Sequence, residues 1–409
     1  MIKKLSIFLA ILIAAPFLQA QDEDPLAGYK KFKYPGLVPG GRDGYNIFDG
    51  GGEYKNFTLA ENQEPLVYVL GPLKTSPRAV IEYRAEVAVE RTTADPECNI
   101  SLVARNAKGK EIATGLGMVT PDYTSLAPNW QSVTSKAVMP EDTFYVEMRI
   151  QLNAPMRLHT KENQAGIRSL GIWSPPADKS LTQKAKITND ILNVVFDPNK
   201  MSLGVVDNRN GKKWNSLPLP STFGLEKVAT GKLEDGSSVI TIQGVYLAYT
   251  APYRITVMLA PNAPSIIYRT ETDPNLRFPE KIGKITTVPS FIAPDDTHKL
   301  VLPASPHFLY SPSDKNITPT DWTFDENPAW AGITDAEGAA GMMYIVNSFQ
   351  HASAGIRHEK VKGKTGPASI DIHWNSFDGT WEYPRDVQIW FTDQGGQDAL
   401  SEYFLNRKF

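Results

Sequence analysis

Along most of this chain apolar and polar residues alternate with a period of two, the spacing of pleated strands with one face buried. Over Ala79–Val89, Ile81, Tyr83, Ala85 and Val87 interleave with Val80, Glu82, Arg84 and Glu86. Over Thr143–Leu152, Phe144, Val146, Met148 and Ile150 fall on one face. The same pattern predicts strands over Leu66–Leu70, Asn99–Arg105, Trp130–Val138 and Gly166–Trp173. It continues over Ile187–Phe196, Ser202–Asp207, Ser238–Ala248, Tyr253–Ala260, Ser265–Thr272, Ile285–Ile292, Gly341–Asn347, Ala368–Trp374 and Asp386–Thr392. The persuasive helical pattern is Gln397–Leu405, where Leu400, Phe404 and Leu405 can share a face.

Turn signals separate these runs. The chain carries 30 glycines and 31 prolines, spaced so that no run grows long. Asn106–Lys110 reads as a hairpin turn, and Asp207–Gly211 ends in the Asn-Gly pair that supplies positive φ. Short strands with regular turns predict an all-β fold of sandwich type. Ser174–Lys179, with adjacent Pro175 and Pro176, reads as a linker, because paired prolines stiffen the chain and cannot join a central strand. The expected layout is a first β-domain over 43–174, a linker over 175–184 and a larger β-domain over 185–409.

The N-terminus stands apart. Lys3 and Lys4 precede an apolar stretch, Leu5–Leu18, and Gln19-Ala20 offers a cleavage point before a polar run. That layout predicts a signal peptide over 1–20, followed by a Pro- and Gly-containing leader over 21–42. The stretch is short for a membrane anchor, since a span needs about 20 apolar residues. A secreted or periplasmic protein with no integral membrane span after cleavage is the expectation. The net charge of −3 is interspersed, which argues against a nucleic-acid partner, since that needs a basic patch. Cys98 is the single cysteine, so no intramolecular disulfide can form. It reads as a small buried hydrophobe rather than a reactive thiol.

Candidate chemistry is sparse. The six histidines include no local pair at metal-ligand spacing, so neither metal nor cofactor is expected. No nucleophile elbow or phosphate-binding loop occurs, and no catalytic residue can be assigned. Asp295-Asp296 and Asp335 with Glu337 are paired acids that read as turn formers before they read as an acid–base pair. The suggestive stretches are aromatic. Pro319–Ala331 sets Trp322, Phe324 and Trp330 among Asp321, Asp325, Glu326 and Asn327; His373–Tyr383 contains His373, Trp374 and Trp381. Sugars present apolar C–H faces and rings of hydroxyls, and aromatic platforms beside carboxylates and amides suit both. Trp322, Asp325, Trp330, His373, Trp374 and Trp381 are therefore the candidate glycan-binding residues. The competing reading has these tryptophans capping the ends of a sandwich core.

Two segments carry a family resemblance. Ile187–Pro198 and Leu203–Trp214 resemble the opening of the galactose-mutarotase-like supersandwich in glycoside hydrolases related to endo-α-N-acetylgalactosaminidases. Trp381–Arg385 and Gly395–Leu400 are similar to the end of that domain. The Asn129-Trp130-Gln131 strand start, the Met139–Asp142 turn and Gly166–Ile172 resemble jelly-roll carbohydrate-binding modules. The resemblance implies an N-terminal jelly-roll β-sandwich followed by a large β-supersandwich. In such hydrolases a catalytic barrel follows, and about 250 residues would be needed for it; this sequence ends at Phe409. The expectation is an exported carbohydrate-binding protein, or the non-catalytic portion of a hydrolase system with a separate catalytic partner. The alternatives are a carbohydrate-active enzyme, either a hydrolase remnant or mutarotase-like, and a structural envelope protein.

Overall fold

The computed structural model of the protein describes residues 46–49, 55–59, 66–89, 97–121, 131–153, 163–175, 178–247, 251–272, 284–302, 308–314, 320–324, 329–335, 340–361, 364–374, 383–393 and 400–402. The chain divides into two compact units, Met1–Lys179 and Ser180–Phe409. Both are built of antiparallel strands, so the all-β expectation holds. The signal peptide and leader expected over 1–42 lie outside the described residues. Among the described residues no helix is long and apolar enough to cross a membrane.

The N-terminal unit contains β1 Asn46–Asp49, β2 Lys55–Leu59, β3 Leu66–Lys74, β4 Val80–Val89, β5 Glu97–Arg105, β6 Glu111–Val119, β7 Gln131–Val138, β8 Tyr145–Asn153 and β9 Asn163–Ser174. One sheet is ordered β1-β9-β4-β7 with β2 beside β9, and the other β3-β8-β5-β6. The alternation in the sequence explains the core. Ile81, Tyr83, Ala85 and Val87 of β4 cluster with Cys98, Ile100, Leu102 and Ala104 of β5 and Val146, Met148 and Ile150 of β8. Each Val, Leu, Ile or Met side chain among them stabilises the fold by about 1.5–3 kcal/mol when taken fully out of water. The Tyr83 hydroxyl is satisfied inside this core by the carbonyl oxygens of Gly117 (2.6 Å) and Ile100 (2.9 Å). Cys98 is wholly buried, and burial pushes its thiol up to about 12, which makes it inert packing as expected.

The C-terminal unit contains β10 Ala185–Thr188, β11 Leu192–Asp197, β12 Ser202–Asp207, β13 Lys213–Ser216, β14 Phe223–Lys232, β15 Ser238–Tyr246, β16 Ala251–Leu259, β17 Ser265–Thr272 and β18 Phe291–Ile292. It continues with β19 His298–Leu302, β20 Phe308–Tyr310, β21 Thr320–Thr323, β22 Trp330–Asp335, β23 Gly341–Val346, β24 Ala352–Val361, β25 Lys364–Trp374 and β26 Arg385–Thr392. A front sheet of eight strands is ordered β10-β11-β12-β13-β18-β25-β24-β21. A back sheet of nine is ordered β14-β15-β16-β17-β26-β23-β22-β19-β20. One apolar cluster joins the two layers, with Val194, Phe196, Leu203 and Val205 from the front and Ile240, Ile242, Ile255 and Val257 from the back. Polar ties cross the same gap. The Tyr344 hydroxyl accepts from the Phe291 backbone nitrogen (2.8 Å) and donates to the Pro289 carbonyl (3.0 Å). Arg209 Nη2 donates to the Phe391 carbonyl oxygen at 2.6 Å while the same guanidinium grips Asp207.

Where the structure departs from the sequence pattern, a local cause is visible. Ile187–Phe196 is not one strand. It breaks between β10 and β11 because Asn189 Oδ1 accepts from the backbone nitrogens of Ile191 (2.9 Å) and Leu192 (2.6 Å), closing a turn. Ile285–Ile292 makes only a bridge from Ile285 to Trp374 and the short β18. The predicted helix over Gln397–Leu405 is helical at residues 400–402, and its remaining residues lie outside those described.

Candidate functional site

The described residues of the aromatic stretches fall mostly in strands, and this relocates the candidates. Trp374 ends β25 and is 2% exposed, a member of the main core, with its indole Nε1 donating to the Ser348 carbonyl at 2.7 Å. Trp330 opens β22 and is also 2% exposed, but on the opposite, outer face of the back sheet. There it packs with Val301, Met343, Ile345 and Leu400 in a small second core. His373 is 2% exposed and lies on the outer face of the front sheet, its Nδ1 3.6 Å from Asp371 Oδ2. Asp371 is in turn approached by Lys284 Nζ at 3.4 Å and by the Thr286 hydroxyl at 3.4 Å. The expectation that Trp330, Trp374 and His373 form open docking surfaces is therefore corrected. Alternation carries them to three different faces, and packing closes each one. Trp322 on β21 is half-buried against the main core. Asp325 and Trp381 lie outside the described residues.

Of the paired acids, Asp295 behaves as a turn former. Asp295 Oδ1 accepts from the backbone nitrogen of Thr297 (3.1 Å) and from His298 Nδ1 (2.7 Å). Asp335 sits at the end of β22, and Glu337 lies outside the described residues. Among the described residues no group of three or more His, Cys, Asp or Glu side chains is placed to hold a metal ion.

An open cleft exists elsewhere, on the outer face of the back sheet over β14–β17. On β16 the inward side chains Ala251, Tyr253, Ile255, Val257 and Leu259 are buried, which sends Pro252, Arg254, Thr256 and Met258 to the outer face. Antiparallel register then aligns neighbouring strands in rows. The first row is Lys227–Gln243–Arg254–Glu271. The second is Thr241–Thr256–Arg269–Asp386. The third is Val239–Met258–Ile267–Gln388. Rows two residues apart along a strand are separated by about 7 Å.

The first row is knitted together by Arg254. Its Nη1 donates to Glu271 Oε1 at 3.2 Å, and the Gln243 carbonyl oxygen, with the amide turned to face it, accepts from Nε (3.2 Å) and Nη2 (3.3 Å). In the second row Asp386 clasps Arg269 with two 2.7 Å bonds, and this raises the already high Arg269 pKa. A bulge between Leu225 and Lys227 turns the chain at Glu226, which also lines the cleft. Gly244 is required at its margin, since a Cβ there would collide with the Gly224 carbonyl oxygen. The cavity beside the first row measures about 440 Å³ and is bounded by Glu226, Gln243, Gly244, Arg254, Glu271 and Thr272. The acids Glu226, Glu271 and Asp386 are matched by the bases Lys227, Arg254 and Arg269. The face is thus rich in donors and acceptors without a dominant sign of charge. These residues escaped the sequence reading because each one looks like the wet half of an ordinary strand. Only the register across β15, β16 and β17 places them side by side.

No family model and no curated protein matches the sequence. Among solved structures, the chain is similar to the α-N-acetylgalactosaminidase NagBb from Bifidobacterium bifidum bound to Gal-NHAc-DNJ. The identity is 10%, the TM-score 0.44, and the match covers 54% of this chain and 38% of that one. It is also similar to a galactose mutarotase related enzyme from Lactobacillus acidophilus, at 8% identity and TM-score 0.35, covering 52% of this chain and 100% of that one. A third match is the infectious bursal disease virus VP2 subviral particle, at 10% identity and TM-score 0.26, covering 35% of this chain and 37% of that one. At these identities and scores the likeness assigns no activity to this chain.

Proposed function

We propose that the protein is an exported carbohydrate-binding protein that recognises its ligand through the outer face of the back sheet. The observation that carries this reading is the Gln243–Arg254–Glu271 row beside an open cleft of about 440 Å³. Planar amide, guanidinium and carboxylate groups, fixed side by side, present donors and acceptors at the density of hydroxyls on a sugar ring. Arg254 is held by both neighbours, so its ordering is largely accomplished before a ligand arrives, and preorganisation lowers the entropic cost of binding. The balance of charges favours an uncharged polar ligand over nucleic acid or an acidic polymer.

Glycan-array binding of the full chain tests the reading. Retention on defined glycans is expected, and Arg254→Ala and Glu271→Ala each weaken it by roughly tenfold or more, a loss of about 1.4 kcal/mol, without changing the far-UV circular dichroism. A folded chain that binds no glycan sinks the reading.

A further inference from the structure

The cleft does not end at the first row. A second cavity of about 390 Å³ is bounded by Leu233, Val239, Thr241, Thr256, Met258 and Arg269. Gln243, Arg254 and Glu271 line both cavities, so the two are halves of one groove that meet at the first row. From Pro252 at one end to Met258 at the other, the groove follows β16 for about 20 Å. That is far longer than one pyranose ring. Its chemistry changes in order along this length. The first row is charged and amide-bearing, the second sets the hydroxyls of Thr241 and Thr256 beside the mutually neutralised Arg269–Asp386 pair, and the third is largely apolar. Leu233 at 45% exposure and Ile267 at 37% keep that last end open to solvent as an apolar shelf.

We infer that the groove takes an extended, uncharged oligosaccharide laid along the strand direction, and not a single sugar. This rests on the carbohydrate reading proposed above. Hydroxyls of one ring meet Gln243, Arg254 and Glu271, while the C–H face of a later ring lies on Met258 and Leu233. The sheet supplies the polarity of the site, since its charged and apolar ends differ, and so it fixes the direction in which the chain lies.

The experiment is calorimetric titration of the full chain with malto-, cello- and galacto-oligosaccharide ladders of one to six rings. Affinity in the recognised series is expected to rise by about tenfold or more between one ring and four, and then to level off. Met258→Ser, at a surface position of the sheet, lowers the affinity for the long members towards that of the short ones and leaves the single sugar unchanged. Arg254→Ala weakens every length. Affinity that is flat with length, or equal loss for all lengths in Met258→Ser, overturns the extended-ligand inference and leaves carbohydrate recognition standing. Absence of binding by every member, with the fold intact, overturns both.

Discussion

The hydroxyl of Tyr344, on the back sheet, lies 2.8 Å from the backbone nitrogen of Phe291, on the front sheet. The same oxygen donates to the Pro289 carbonyl, so one buried group satisfies two backbone groups where regular pairing has given way to the short β18. Removing only the hydroxyl leaves both without a partner. Tyr344→Phe is expected to destabilise the C-terminal unit by about 1–3 kcal/mol, measured as a lowered urea midpoint with an unchanged slope.

In the N-terminal unit Glu147 is wholly buried on β8, its Oε1 held by Arg105 Nη2 (2.9 Å) and Arg149 Nη2 (3.2 Å). Arg105 is itself 4% exposed. Truncation at Glu147 leaves Arg105 and Arg149 to share the part-exposed Glu111 carboxylate, at 3.5 and 2.9 Å, so Glu147→Ala should cost about 3 kcal/mol. Glu147→Leu combined with Arg105→Met should recover much of that loss. Denaturation of the single and double variants checks both statements.

Asp295 is held well below the usual carboxylate range, first by the Thr297 hydroxyl, against partial desolvation, and then by His298. A depressed folded pKa contributes stability that is fully present above the unfolded value, about 4 for Asp, and is lost as pH falls towards the folded one. The stability difference between the wild type and Asp295→Asn should therefore be largest near neutral pH and shrink below about pH 4. The carboxylate is 48% exposed, so solvent screening keeps the effect small. Urea titrations at pH 6 and pH 3 measure it.

Trp374 separates packing from recognition. It is buried among the apolar side chains of both sheets, so Trp374→Ala should cost about 3–5 kcal/mol, read by thermal and chemical denaturation. Arg254→Ala, at a side chain 53% exposed, should move stability by less than about 1 kcal/mol. The reverse ranking is expected for glycan binding at temperatures where both variants are folded.

The sequence made the sheets legible and the site illegible, for one physical reason. Period-two alternation reports which residues of a strand are buried, so β4, β12, β16 and β17 could be read from it nearly to their ends. Strands whose alternation is weak were missed. β6 carries Gly115 and Gly117 at positive φ and a run of register shifts against β5, and β24 opens with the small residues Ala352-Ser353-Ala354-Gly355. Alternation says nothing about which strands become neighbours. The rows across the back sheet link residues as distant as Val239 and Gln388, which only pairing can bring to one face. The tryptophans misled for a related reason. Acidic and amide neighbours make Trp330 and Trp374 look wet, yet β22, which the pattern does not predict, is buried on both faces, and Trp374 takes the inward turn at the end of the predicted Ala368–Trp374 strand.

Leu400 rests over Gly332 and Gly341 on one half of the back sheet, and the rows around Arg254 occupy the other half. Substitutions beneath Leu400 are constrained by volume and shape. Those among Gln243, Thr256, Arg269 and Glu271 leave the core untouched, so the fold constrains them far less. The bare half can therefore accept a change of chemistry while the architecture beneath it stays put.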